Sequence, residues 1–268
     1  MRYSAQTIIY DLSRLAPDTR KLILKSPKFR KWFSHKPDSM LRLDGSTKVI
    51  KGNKLGYRTA ILYLAPANMS GVNVCPMAKL AACARACLNT SGRGAMRGVQ
   101  MSRLRKTLFW LQYQNEAIEL IKHQIALAEA QAKREGWTLL VRLNGTSDIR
   151  FENYGIIQAF PAVRFYDYTK LANRKNVPAN YDLTFSYSGV PAYQTQVRLA
   201  LAAGMRMAIV FRERATVNAM LANDSKFMGL DVVDGDDTDI RHLDPIGAAV
   251  ALYAKGNAKR DQSGFVVH

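Results

Sequence analysis

The sequence predicts one α/β domain, a partial or complete parallel (β/α) barrel with a basic N-terminal extension. Three observations carry this reading. Seven short apolar runs recur between residues 59 and 253, with helical stretches between several of them. Apolar strands that alternate with helices argue a parallel sheet with covered faces. Polar residues gather just after the carboxyl ends of these runs, the edge where parallel α/β proteins build their sites. An open doubly wound sheet is the alternative. The 268 residues, 48% of them hydrophobic, are enough for a real core.

The division expected is a basic extension over residues 1–58, packed on an α/β body over 59–268. In the extension, Pro17-Asp18 opens a helix and Pro27 breaks it. Lys28, Phe29, Arg30, Lys31, Trp32 and Phe33 follow. Basic side chains interleaved with aromatics suit a phosphate backbone with stacked bases. The competing account is an amphipathic helix that buries Phe29, Trp32 and Phe33 and leaves its charges in water. The formal net charge of +18 and pI of about 10.0 favour an anionic partner, most often nucleic acid.

Thr59–Ala65 reads as the first strand. The 97–135 stretch is a long helix or a helix pair, with Leu104, Leu108, Leu111, Ile118, Ile121, Ile125 and Ala128 on one stripe and Gly136 as its stop. Trp137–Leu143, Val163–Tyr168, Asp182–Tyr187, Met205–Phe211, Gly229–Val233 and Ile246–Tyr253 are the later strands. Helices fall at Tyr193–Ala203 and about 214–222.

All 3 cysteines of the chain, Cys75, Cys83 and Cys87, lie in one short segment directly after the first strand. The alanines around Cys83 and Cys87 favour helix, and their four-residue spacing puts both sulfurs on one helical face. Thiolates select soft metals and iron–sulfur clusters. Three cysteines on a [4Fe–4S] cluster leave one iron open to a substrate or cofactor. The competing readings are zinc, with a histidine as fourth ligand, and small buried residues. Asp234, Asp236, Asp237, Asp239, His242 and Asp244 form an acidic knot. It suits either a hard cation or a loop of turns and caps paired with nearby cations.

A cysteine loop after the first strand resembles the radical S-adenosylmethionine (SAM) superfamily. The resemblance implies that Cys75, Cys83 and Cys87 hold the cluster and that SAM binds the open iron. Asn144-Gly-Thr-Ser-Asp148 stands where that superfamily keeps its SAM-amine motif, which makes Asn144, Gly145 and Ser147 cofactor contacts, with Ser186 and Arg212 on the same rim. Asp148, Asp167 and Tyr168 are the catalytic candidates. The chemistry implied is that of a radical-SAM-like or other [4Fe–4S]-dependent enzyme acting on nucleic acid or a nucleotide. The alternative is a non-catalytic iron–sulfur protein that binds nucleic acid or senses redox state.

A closer resemblance is to a bacteriophage family, the gene-product-88-like proteins. It rests on Asn73-Val-Cys75-Pro, Cys83 through Cys87-Leu-Asn-Thr-Ser-Gly-Arg-Gly94, Leu143–Asp148, Asp239-Ile-Arg-His-Leu-Asp-Pro245, and the tail from Ala254-Lys-Gly256 to Asp261-Gln-Ser-Gly-Phe265. It implies a phage origin and an iron–sulfur site. No apolar run approaches the ~18–20 residues of a membrane span. Met1-Arg2-Tyr3-Ser4 lacks the apolar stretch of a signal peptide. The expected location is the host cytoplasm, where clustered cysteines stay reduced.

Overall fold

A computed structural model describes residues 7–268 of the chain; the opening Met1-Arg2-Tyr3-Ser4 lies outside the described residues. The chain is mixed α/β. Its centre is a nine-stranded sheet in the order β1-β2-β3-β4-β5-β6-β9-β8-β7.

Two short helices, α1 (Pro17–Lys25) and α2 (Pro27–Trp32), come first. Each has proline in its first turn, where no helical N–H is lost. The Ser26 hydroxyl caps α2 by accepting from Phe29 N. The edge strand β1 (Leu41–Leu43), the one-turn α3 (Thr47–Ile50) and β2 (Tyr57–Leu62) follow. After the cysteine segment come α4 (Arg97–Gln112) and α5 (Gln114–Glu135), broken at Tyr113. Gly136 closes α5 in the left-handed conformation, its N–H returning to Ala132 O.

The remaining elements are β3 (Thr138–Arg142), β4 (Arg164–Thr169), β5 (Tyr181–Ser186), α6 (Gln194–Ala202), β6 (Met207–Phe211), α7 (Arg214–Ala222), β7 (Lys226–Phe227), β8 (Leu230–Asp234) and β9 (Ala249–Tyr253). All seven predicted strands form. The two antiparallel edges, β1 on β2 and β7 on β8, were not expected; at three and two residues they are too short to leave a period. β9 inserts between β6 and β8, parallel to both.

The sheet is open. Its outer strands, β1 and β7, do not pair with each other, so a complete barrel is excluded. The likeness to a radical-SAM barrel therefore stops at a run of parallel strands with helices between some of them.

One sheet face is apolar and covered by helices. Leu62, Val141 and Phe165 pack with Leu104, Leu108, Trp110, Ile121 and Ile125 of α4 and α5. Tyr10, Ile23, Phe29 and Phe33 of the N-terminal region join the same cluster. Phe185, Met207, Ile209 and Ala251 pack with Val197 and Val217 of α6 and α7. Strand alternation sends Arg142, Tyr166, Tyr168, Asp182 and Arg206 to the opposite face. There the 236–244 segment lies over them, with Ile240 on Leu140 and Tyr166.

Candidate functional site

The carboxyl edge of the parallel strands collects most of the predicted residues. The segment after β2 does not form the expected helix. Residues 76–82 run in turns, and a bend and a further turn cover 84–86. Pro76 follows Cys75, and Ala82 takes a left-handed backbone (φ 53°) just before Cys83. A helix cannot propagate through that conformation, so the local alanine preference loses to tertiary packing.

The three thiols are half-buried and each is occupied locally. Cys75 Sγ accepts from Ala67 N at 3.4 Å and sits 3.7 Å from Thr146 O. Cys83 Sγ points at Ala78 O, 3.9 Å away, and packs among apolar neighbours of the second cluster. Cys87 Sγ accepts from Asn89 N at 3.5 Å, capping the turn Leu88–Thr90. Burial raises all three thiols, Cys75 to about 12. Among the described residues, no group of three or more His, Cys, Asp or Glu side chains could hold a metal ion. The sequence-based expectation of an iron–sulfur enzyme of radical-SAM type, or of an iron–sulfur sensor, is therefore wrong for this chain. Its premise, a shared helical face aiming the sulfurs at one point, is not met.

The 144–148 segment is held by its own hydrogen bonds. Asn144 Oδ1 accepts from Ser147 Oγ and Ile149 N, both at 2.8 Å, and its Nδ2 donates to Ile149 O. Gly145 continues the ladder, N–H to Leu62 O at 3.0 Å. A Cβ there would meet Ile61 Cγ2 at 2.7 Å and Leu62 O at 2.8 Å. The glycine is thus required by strand approach, whatever else it does.

Asp148 and Asp167 are buried acceptors. Asp148 receives Thr169 Oγ1 at 2.9 Å, Lys170 N at 2.8 Å and Arg174 Nη1 at 3.4 Å. Burial raises its carboxyl despite these donors. Asp167 is fully buried and takes Leu143 N, Asn144 N and the Tyr181 hydroxyl, each at 3.0 Å. Burial pushes it up to about 6, against the lowering pull of Arg142. It fixes the carboxyl end of β3 to β4 and β5. Ser186 accepts Lys170 Nζ through both its carbonyl and its hydroxyl at 3.1 Å. Arg212 spends its guanidinium on the tail carbonyls of Ala258, Lys259 and Asp261. Tyr168 lies apart from these, on the polar face. Arg142 sits over its ring at 5.1 Å, its hydroxyl has no hydrogen-bond partner among the described residues, and burial raises it to about 12.

Sequence reasoning missed the cations that organise this region. Arg142 pairs with Asp239 at 2.6 Å and lies 3.7 Å from Asp167. Arg174 joins Glu152 to Asp148. Arg206 bridges Asp182 and the Arg241 carbonyl. The available signal for the first was a single arginine inside an apolar strand; the others carry no local mark. The acidic knot is dispersed onto such cations. Asp236 faces Lys255 at 2.6 Å and Lys48 at 3.9 Å, and Asp244 faces Arg241 at 2.9 Å.

The basic extension resolves its two accounts in part. Phe29 and Phe33 are buried in the main cluster. Trp32 lies between Lys28, 5.1 Å from its ring centre, and Arg105, 5.6 Å from it. Phe29 and Phe33 are therefore not free to stack on bases. Arg20, Lys21, Lys25, Lys28, Arg30 and Lys31 are all exposed. Among the described residues, none of the six has a carboxylate in ion-pair range. No helix is long and apolar enough to cross a membrane among those described.

No curated protein and no solved structure matches the chain. Residues 40–268 match the family model for Gene product 88. That match takes in β1 through the C-terminal tail, and with it every sheet strand. The chain belongs to the Gene product 88 family of bacteriophage proteins.

Proposed function

We propose that this phage protein binds nucleic acid through its phosphate backbone, using the exposed cationic face of α1 and α2. One observation carries the reading. The two helices turn Ile23 and Phe29 into the core and leave Arg20, Lys21, Lys25, Lys28, Arg30 and Lys31 in solvent, with no carboxylate in ion-pair range among the described residues. Such a face attracts phosphates and reads no base edges. The net charge of +18 supports it. On this reading residues 1–58 are the binding module, residues 59–268 are the body that anchors it, and the host cytoplasm is where it meets its partner.

The test is filter binding of an unrelated-sequence DNA duplex over a salt series. Each phosphate contact contributes about −0.9 to the slope of log K against log salt, so six contacts give about −5. Replacing all six residues with Gln should flatten the slope by several units. A flat slope in the unsubstituted protein, or an unchanged one in the variant, ends the proposal. Tight preference for one sequence would also count against it, because no base-reading group is presented.

A further inference from the structure

Two distant segments converge to form a polar cleft that the nucleic-acid reading does not use. One is the end of the cysteine loop, residues 84–91. The other is the C-terminal tail, residues 256–263. The Asn257 N–H donates to Thr90 Oγ1 at 3.3 Å, and Ser263 Oγ donates to Ala82 O at 3.4 Å. Gly256, with φ 56°, lets the tail lie against the loop: a Cβ there would come within 2.7 Å of Ser91 Cβ. Arg212 anchors the tail from below through three carbonyls.

The space between them is about 670 Å³. That is far larger than one inorganic anion and falls in the range of small-molecule sites. Arg85, Arg260, Thr90, Asn257, Gln262 and Ser263 line it. Its one carboxylate, Asp261, is already engaged by Ser263 Oγ at 2.7 Å and Val266 N at 3.2 Å. Both guanidiniums are exposed, and among the described residues neither has an ion-pair partner. No aromatic ring lines the walls, so nothing there would hold a base by stacking.

We propose that this cleft binds the phosphate chain of a nucleotide, with Arg85 and Arg260 as its two cationic jaws and the Asn257 and Gln262 side chains as further donors. Two guanidiniums facing one space suit the paired oxygens of successive phosphoryl groups. Recognition is of the phosphates, so the base is indifferent. The proposal stands apart from the reading of α1 and α2 and survives its failure.

The experiment is calorimetric titration of the full chain with ATP, GTP, sodium tripolyphosphate and adenosine. ATP, GTP and tripolyphosphate should bind within about threefold of one another, and adenosine should not bind. Arg85→Gln and Arg260→Gln should each weaken tripolyphosphate at least tenfold, and Arg→Lys at either position should recover part of that loss. Both side chains are exposed, so circular dichroism should show the variants folded. The sixfold Gln variant of α1 and α2 should bind tripolyphosphate as the unsubstituted chain does. No binding of any phosphate probe overturns the proposal. So does equal binding of adenosine, retention of affinity in both arginine variants, or loss of affinity in the α1–α2 variant alone.

Discussion

Asp167→Ala is the most informative single change in the body of the protein. The carboxylate collects two backbone N–H groups and the Tyr181 hydroxyl, each at 3.0 Å, at a site with no solvent access. Alanine strands all three donors. A buried donor left without a partner costs about 1–3 kcal/mol, so the loss from three should be about 3–9 kcal/mol, a large share of the margin of an ordinary domain. Asp167→Asn keeps an acceptor oxygen but aims an amide at one of the donors, and should cost about 1–3 kcal/mol. Urea unfolding followed by far-UV circular dichroism reads both.

A pH series gives an independent check on the same group. Burial raises the native carboxyl to about 6, above its unfolded value of 3.8. Below pH 4 both states hold the proton and the group carries no penalty. Between about 4 and 6 the unfolded chain releases the proton and the native chain keeps it, so stability falls as pH rises. Above 6 the cost is complete, about 3 kcal/mol at 1.36 kcal/mol per unit. The stability of the unsubstituted protein relative to Asp167→Asn should shrink by that amount across the window. An Asp167→Ala loss under about 1 kcal/mol, or a relative stability that grows with pH there, would refute the assignment.

Other outcomes follow from the same geometry. Gly145→Ala should destabilise by about 1–3 kcal/mol, because its Cβ would press on Ile61 and on the Leu62 carbonyl; thermal unfolding reads it. Arg174→Met leaves Glu152 and Asp148 facing each other in a buried site and should cost about 3–5 kcal/mol, whereas Arg174→Met with Glu152→Leu should recover much of it in the same urea assay. The three thiols should react with iodoacetamide at pH 8 far more slowly in the native chain than in urea, with Cys75 slowest, as peptide mass spectrometry would show. Native labelling at the rate of a free thiol would contradict their burial.

Period and composition by themselves determined the elements of the body. The strands at 57–62, 138–142, 164–169, 181–186, 207–211, 230–234 and 249–253 were legible because each is a short run rich in apolar and aromatic residues, and the helices between them because they keep a 3.6-residue stripe. The basic character of the extension was equally plain. Sequence could not tell whether its rings faced bases or the core, since Phe29 and Phe33 read the same in either setting. The cysteine segment misled for a related reason. The alanines around Cys83 and Cys87 favour helix, but the backbone from 83 to 87 folds as a bend and a turn, so the repeat that would put both sulfurs on one helical face is absent. Tertiary structure alone decided the pairing of Arg142 with Asp239, 97 residues apart, and the meeting of Thr90 with Asn257, 167 apart. Local preference sets which residues are helical or extended. Which charges neutralise one another in the interior, and which loops enclose a cleft, depends on contacts between residues that share no local pattern.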